Sequence, residues 1–512
     1  MLFVLVSTCR QHYKVTALDM FGPSGPHMPI KISSYSSTQS LVDLECSSDD
    51  GQNSLSGTDK STSSISDSSS PAGLTSNDYH FDAELTREVG KPVFDATEFD
   101  SVANFISSRI VRGHETGSFL VTNLAPVVAQ FRQWQLELPM VEPFYAVKCN
   151  PDPAILRMLA SLGCNFDCAT MGEIDLVLNG LGDELSFRPR GKAQHSIVYA
   201  NPAKMNHMLK FALDNDVSMT VFDGEDELRK IHSVLKAAGR PLNSFKLLLR
   251  LTTDDRASIC RFSKKFGCPV EEAPKLLKIA KELGLFVAGV SFHVGSGCGD
   301  PAAYTTALDH AYRVFQAAKS FGMPDLEIVD IGGGFPGDTG GYGGDGMPNF
   351  QDLARGIRSG IDAMEKNLAS EGRSLSSVRF IAEPGRYFVS ASTAIATKVY
   401  SRKGGNDAFQ ALYVDDGVYG SFNNVVYDHA TPIPKRISFP GETARTGEAI
   451  PTAVFGPTCD GLDQMCSLDN TVLERCDVDD WLLWENMGAY THTASFVFNG
   501  YTHVPQKHHC IL

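Results

Sequence analysis

Eight short apolar or β-branched runs alternate with amphipathic stretches between residues 144 and 382, and this rhythm is the strongest constraint on the fold. The runs occupy 144–147, 164–169, 197–200, 218–222, 246–251, 287–294, 326–331 and 378–382. Most of them lack in-and-out alternation, the texture of strands covered on both faces. Between them, 225–238 sets Leu228, Ile231, Leu235 and Ala238 on one helical face. Likewise 301–320 sets Ala307, Ala311, Val314, Phe315 and Ala318 on one face. Eight strand–helix alternations over about 240 residues predict an α/β chain built on a TIM-like (β/α)8 barrel. After residue 390 the pieces become β-rich, at 394–400, 409–414, 452–455, 481–484 and 495–498, with Gly and Pro between them. A C-terminal β-sandwich or β-barrel-like domain is expected there.

The same reading divides the chain into four parts. Residues 31–70 hold 16 serines and almost no aromatic side chain, so 1–80 is expected to form a disordered, Ser-rich extension. Residues 90–140 are expected to add a strand to the β domain and lead into the barrel, which spans 141–390; the β domain takes 391–512. The basic 186–196 link and the glycine-rich 337–347 loop stand outside every recognisable motif.

Charge and cysteine usage narrow the class. The 512 residues carry 45 Lys and Arg against 60 Asp and Glu, a net −15. The first 80 hold 8 acids and 4 bases, so −11 remains on the rest and the acidity is not confined to a tail. This balance argues against a nucleic-acid partner. The apolar run at 1–6 has no basic residue before it and is too short for a signal peptide, and no stretch reaches the length of a membrane span. Twelve cysteines include no C-x-x-C pair, which suits thiols in a reducing compartment. A cytoplasmic protein with no membrane partner is the expectation. His508-His509-Cys510 is too thin a pattern to be read as a metal site, and no metal is expected.

In a barrel the working face lies at the C-terminal ends of the strands, so the residues that close each run are the ones to read. Run one ends in Lys148, run two contains Asp167, run five closes on Arg250, and run six delivers His293 before Gly295-Ser296-Gly297. Run seven breaks into Gly332-Gly333-Gly334 and run eight into Glu383-Pro384-Gly385-Arg386. A lysine at an apolar rim is expected to have its pKa lowered by burial, leaving a neutral amine for Schiff-base chemistry. Glycines let backbone N–H groups converge on an anion, and Arg386 adds a bidentate clamp. An amine, an anion cradle and an acid in one barrel mouth point to pyridoxal 5'-phosphate (PLP), with Glu383 as partner of the ring nitrogen. Taken singly, each residue has a blander account: Lys148 a snorkelling stem, His293 a satisfied core residue, Cys459 an inert thiol.

The motifs PFYAVKCN (143–150), NFDCAT (165–170), LLLRLTTDD (247–255), SFHVGSGC (291–298), DIGGGFPG (330–337) and EPGRYFV (383–389) together resemble the eukaryotic ornithine decarboxylases. So do YDHA (427–430), FGPTCDGLD (455–463) and ENMGAYT (485–491), and the likeness runs in order over about 95–503. The resemblance implies a fold-type III, PLP-dependent decarboxylase that works as a homodimer on a small diamino acid. It implies that Lys148 holds the cofactor aldehyde beside Asp167, that His293 stacks on the ring, and that Glu383 meets the ring nitrogen. Ser296, Gly334, Arg386 and Tyr490 would hold the phosphate, with Arg250, Pro384 and Gly385 completing the cofactor site. Tyr427 and Asp428 would line the substrate pocket, while Cys459 and Asp460 would enter from the other subunit, Cys459 as proton donor. Asp428 and Asp460 would form an acidic pocket for a distal ammonium, which suits ornithine and disfavours a substrate ending in a carboxylate. The implied reaction is L-ornithine to putrescine and CO2, with lysine, one methylene longer, as a secondary substrate. The alternative is a catalytically inactive paralogue like the antizyme inhibitors, and an antizyme regulator is a candidate partner in either case.

Overall fold

The computed structural model describes residues 5–9, 12–16, 93–180, 197–337, 346–404, 408–443, 448–501 and 505–512. Of the extension expected to be disordered over 1–80, all but 5–9 and 12–16 lies outside these residues, as do the basic 186–196 link and most of the 337–347 loop. Near the start, strands Leu5–Cys9 and His12–Thr16 pair antiparallel as a hairpin.

The barrel strands are β1 (Val141–Ala146), β2 (Asn165–Cys168), β3 (Ile197–Tyr199), β4 (Met219–Phe222), β5 (Lys246–Leu251), β6 (Val287–Phe292), β7 (Ile328–Asp330) and β8 (Arg379–Ala382). Each pairs in parallel with the next, and β8 returns to β1, closing the barrel. The uninterrupted apolar runs have the two-sided burial they imply. Phe144, Val198, Met219, Leu248, Ala288, Ile328 and Ile381 fill the barrel interior as one cluster. Neighbours such as Tyr145, Leu247, Leu249 and Val329 pack outward against the helices. Two layers of apolar side chains thus sandwich each strand.

The helices keep to their sequence faces. Glu225–Ala237 buries Leu228, Ile231 and Leu235, while Ala238, expected on that face, is its exposed C-cap. Ala302–Ser320 buries all five of Ala307, Ala311, Val314, Phe315 and Ala318. No helix among the described residues is long and apolar enough to cross a membrane.

Beyond β8, the long strand Thr393–Lys403 organises a second sheet. It pairs antiparallel with Gln410–Val414, with Trp481–Trp484 and with Phe119–Asn123. Ile450–Phe455 joins Gln410–Val414 in parallel. The terminal strand Gln506–Ile511 lies parallel to both Phe119–Asn123 and Val93–Asp95. The expected strand at 495–498 does not form. Its aromatics are spent on side-chain stacking instead: the Phe498 ring lies 4.4 Å from that of Tyr419, and only a single bridge joins Phe498 to Tyr501.

Candidate active site

β1 runs into a single 3-10 turn, Val147–Cys149, which lifts Lys148 onto the barrel mouth. Two backbone hydrogen bonds and one from a side chain fix that turn: Ala146 N–H donates to Pro384 O at 3.1 Å, Tyr490 N–H donates to Cys149 O at 3.0 Å, and Asn150 Nδ2 donates to Gly488 O at 2.9 Å. The amine is therefore aimed by β8 on one side and by the 488–490 loop on the other.

Lys148 Nζ lies 2.6 Å from Asp167 Oδ2; the lysine side chain is 40% exposed and that of Asp167 is fully buried. Loss of solvent around the amine works against its charge, but the carboxylates of Asp167 and Glu383 outweigh that loss and raise its pKa above the ordinary value. The expectation of a lowered lysine pKa is thus overturned. Burial alone would have produced it, and the acids converging from β2 and β8 reverse it.

The acids form a larger group than the sequence suggested. Glu383 is 4% exposed, and burial, then the nearby Asp330 and Asp167, push its pKa well above the usual carboxylate range. Asp330, at the end of β7, is fully buried and pushed up to about 6 by burial, against the pull of hydrogen bonds from Glu383, Gly332 N–H and Ser291. Ser291 Oγ donates to Asp330 Oδ2 at 2.9 Å and Gly332 N–H to Oδ1 at 2.9 Å. Sequence reasoning missed Asp330, although it ends a barrel strand as the recognised residues do; the glycines after it drew the attention. Glu383 Oε1 and Asp167 Oδ1 are buried with no hydrogen-bond partner among the described residues.

His293 leaves β6 with its tautomer set. Gly295 N–H donates to Nδ1 at 3.0 Å, so in the neutral ring Nε2 carries the proton. Burial, then the positive charges of Arg250 and Lys148, hold its pKa well below the ordinary value. The edge of Phe262 props the ring at 5.0 Å. Arg250 is buried on β5 with its guanidinium 5.3 Å from the Phe266 ring.

The glycine cradle is sterically enforced. A Cβ on Gly333 would lie 2.8 Å from Glu383 O and 2.8 Å from His293 Nε2. Gly334 has φ +113°, and a Cβ there would meet Gly295 O at 2.6 Å. Ser296 begins a short strand, Ser296–Cys298, which pairs antiparallel with Ser258–Cys260. Tyr490 takes the left-handed conformation at φ +54°, which brings its ring to 5.0 Å from the Arg386 guanidinium. Gly385 packs between: its Cβ position is 3.3 Å from Tyr490 Oη.

Of the expected substrate residues, only Asp428 joins this group, where it pairs with Arg386. Tyr427 is 61% exposed. Cys459 and Asp460 sit apart on exposed turns of the β domain. Cys459 N–H donates to Asn499 Oδ1 at 3.1 Å, and Asp460 accepts from the Tyr419 hydroxyl. Among the described residues, then, Asp428 is paired with Arg386 and Asp460 with Tyr419.

The arrangement suits an aldehyde-bearing, anionic, nitrogen-heterocyclic cofactor. It offers an amine, a buried carboxyl with one oxygen unpartnered among the described residues, an imidazole fixed through Nδ1 and a glycine-walled cradle beside an arginine. The family described as "Pyridoxal-dependent decarboxylase, pyridoxal binding domain" matches residues 124–390. The chain is 36% identical over 428 residues to the ornithine decarboxylase of Neurospora crassa, covering 78% of this chain and 81% of that one. It is 39% identical over 414 residues to antizyme inhibitor 2 of Xenopus laevis, covering 78% and 82%. Among solved structures, the arginine decarboxylase of Paramecium bursaria Chlorella virus bound to agmatine gives a TM-score of 0.68 at 30% identity, covering 80% of this chain and 100% of that one.

Proposed function

The chain belongs to the pyridoxal-dependent decarboxylase family, and from that premise we infer that it converts L-ornithine to putrescine and CO2 with PLP as cofactor. One observation carries the reading: Lys148 Nζ sits 2.6 Å from a buried aspartate, in the same mouth as the buried Glu383.

Lys148 would hold the cofactor through its amine, Glu383 would face the ring nitrogen, and His293 would lie against the ring. Ser296, Gly334, Arg386 and Tyr490 would take the phosphate, while Arg250, Pro384 and Gly385 close the site around them. When bound, the cofactor supplies an electron-withdrawing ring that accepts the electron pair left on the substrate Cα as CO2 departs. The chain's own groups do the rest. Lys148 must give up a proton before it can act as an amine, and Asp167 Oδ2 is the acceptor at hand. Burial and the neighbouring Asp330 and Asp167 favour the protonated form of Glu383, which would face the ring nitrogen. His293, neutral and fixed through Nδ1, adds no charge that would compete with Lys148. Asp428 would pair with the distal ammonium of the substrate beside Tyr427.

Cys459 and Asp460 complete the site from a second copy of the chain in this reading, with the thiol returning a proton to Cα. The exposure of Cys459 beside Leu462, 70% exposed, and the stacked Tyr419 and Phe498 supports an interface there. Antizyme is a proposed regulator and the cytoplasm the proposed location; a pull-down with antizyme and a fluorescent fusion test them.

The activity is tested by CO2 release from ornithine, lysine, arginine and diaminopimelate, with and without added PLP. Ornithine should lead, with lysine behind it by roughly 10–200-fold for one methylene. No release from ornithine at saturating cofactor would overturn the reading in favour of an inactive, regulator-binding chain.

A further inference from the structure

Besides Lys148–Asp167, the mouth holds a second ion pair, the buried Arg386–Asp428. Arg386 follows β8 after Glu383-Pro384-Gly385, at the start of the short helix Arg386–Val389, and Asp428 is the C-cap of Asn424–Tyr427 in the β domain. Arg386 Nη2 donates to Asp428 Oδ2, with the two side chains only 6% and 11% exposed. Cys260 Sγ donates to Asp428 Oδ1 at 3.5 Å, and the Tyr490 ring backs the guanidinium at 5.0 Å. On the assignments above, these partners serve different ligands: Arg386 the cofactor phosphate, Asp428 the distal ammonium of the substrate.

We propose that the Arg386–Asp428 ion pair is an internal lock that couples the phosphate site to the diamine site, so that phosphate binding releases the charge of Asp428 for the substrate. The inference rests on the proposed assignment of those two residues. Its physics is a charge count. The buried pair is neutral, and a second cation beside Asp428 would leave one positive charge uncompensated in a site where such charges are costly. A phosphate on Arg386 supplies the missing negative charge, whether the guanidinium swings to it or bridges both anions. Conversely, Asp428 competes with phosphate for Arg386 until an ammonium arrives. Linkage requires the two effects to be equal: phosphate tightens the diamine by the same factor as the diamine tightens phosphate. The lock also imposes an order, because the distal-ammonium site gains its full charge only after the cofactor is seated.

The test uses the full-length protein prepared without cofactor and reads binding heat. 1,4-Diaminobutane is titrated with and without saturating inorganic phosphate, with chloride holding ionic strength constant. Phosphate should tighten the diamine on the order of tenfold, within the usual range of coupling between sites. Phosphate titrated with and without the diamine should show the same factor. Asp428→Asn should bind phosphate more tightly than the unaltered chain and show no coupling; the wild-type titrations stand without this variant. Equal diamine affinity in the two buffers, or no diamine binding even with phosphate, overturns the lock. A protein that releases CO2 from ornithine but shows no coupling keeps its activity and loses the lock, so the two failures are distinct.

Discussion

The barrel mouth and the β-domain rim carry the same kinds of residue in opposite states. In the mouth, Asp167, Asp330 and Glu383 are buried at or just past strand ends, Asp167 and Glu383 act on Lys148, and the buried Arg386 pairs with Asp428. On the rim, Cys459 is exposed and Asp460 is tied to Tyr419 on a turn. A carboxyl at a strand end inherits its position from eight mutually paired strands and its charge state from the acids beside it. A thiol on an exposed turn has neither its reactivity nor its direction set by its own chain. The mouth is preorganised by folding, whereas on the proposed reading the rim would take its task from a second copy of the chain.

The largest test of this contrast is Lys148→Ala. It should abolish turnover and the visible absorbance band of the bound cofactor, because no other amine is placed in the mouth by β1. Turnover that survived would show that the mouth is not where the chemistry happens. Glu383→Gln comes next. It keeps the volume but cannot cycle between proton-holding and charged forms, so kcat should fall roughly 10²–10³-fold, as for loss of other preorganised electrostatic groups. The cofactor should remain bound, as judged by its spectrum; an unchanged kcat would mean that the buried acid cluster is only structural.

Cys459→Ala should have a smaller effect on turnover and a visible one on product. Cofactor should still load, but part of the product should appear as an aldehyde from misplaced protonation. Mixed with Lys148→Ala, it should regain about a quarter of native activity, because half of the re-paired dimers would hold one intact site of two. If mixing restored nothing, the rim and the mouth would belong to one chain, and the contrast would have to be redrawn.

The mouth was more legible in sequence than the rim for physical reasons. A strand covered on both faces must be apolar throughout, as all six residues of Val287–Phe292 are buried, so its end is visible and the polar residue after it stands out. Lys148, His293 and Glu383 could be singled out in this way. Their charge states could not: the raised pKa of Lys148 depends on Asp167 and Glu383, which the barrel closure brings together from β2 and β8. Even the bounds slipped, with the expected 326–331 run shrinking to Ile328–Asp330. The terminal strand Gln506–Ile511 escaped altogether. Its sequence QKHHCI reads as a polar tail, yet His508 and His509 are buried, with His509 hydrogen-bonded to Asp152 at 3.0 Å and His508 Nε2 lying 2.9 Å from Glu115.

That last pair makes the smallest prediction, and it joins the two regions. Asp152 lies four residues after Lys148 and caps the helix Pro153–Ser161, its Oδ1 accepting from Ala154 N–H at 2.9 Å. His509 Nε2 meets the same oxygen at 3.0 Å from the terminal strand, and Lys507 Nζ lies 3.9 Å from Oδ2. Burial alone would raise the pKa of Asp152, but the hydrogen bond and charge of His509, then Lys507, hold it down to about 2 against an ordinary 3.8. A carboxylate held below its unfolded value stabilises the fold above about pH 4 and loses that contribution as pH falls toward about 2, a difference of about 2 kcal/mol. Asp152→Asn should preserve the cap, since Asn serves that position as well as Asp. It should therefore remove the charge alone, lowering stability near neutral pH and flattening the fall of the urea midpoint between about pH 4 and 2. Parallel pH profiles for variant and wild type would mean that the histidine strand holds the Lys148 loop by packing rather than by charge.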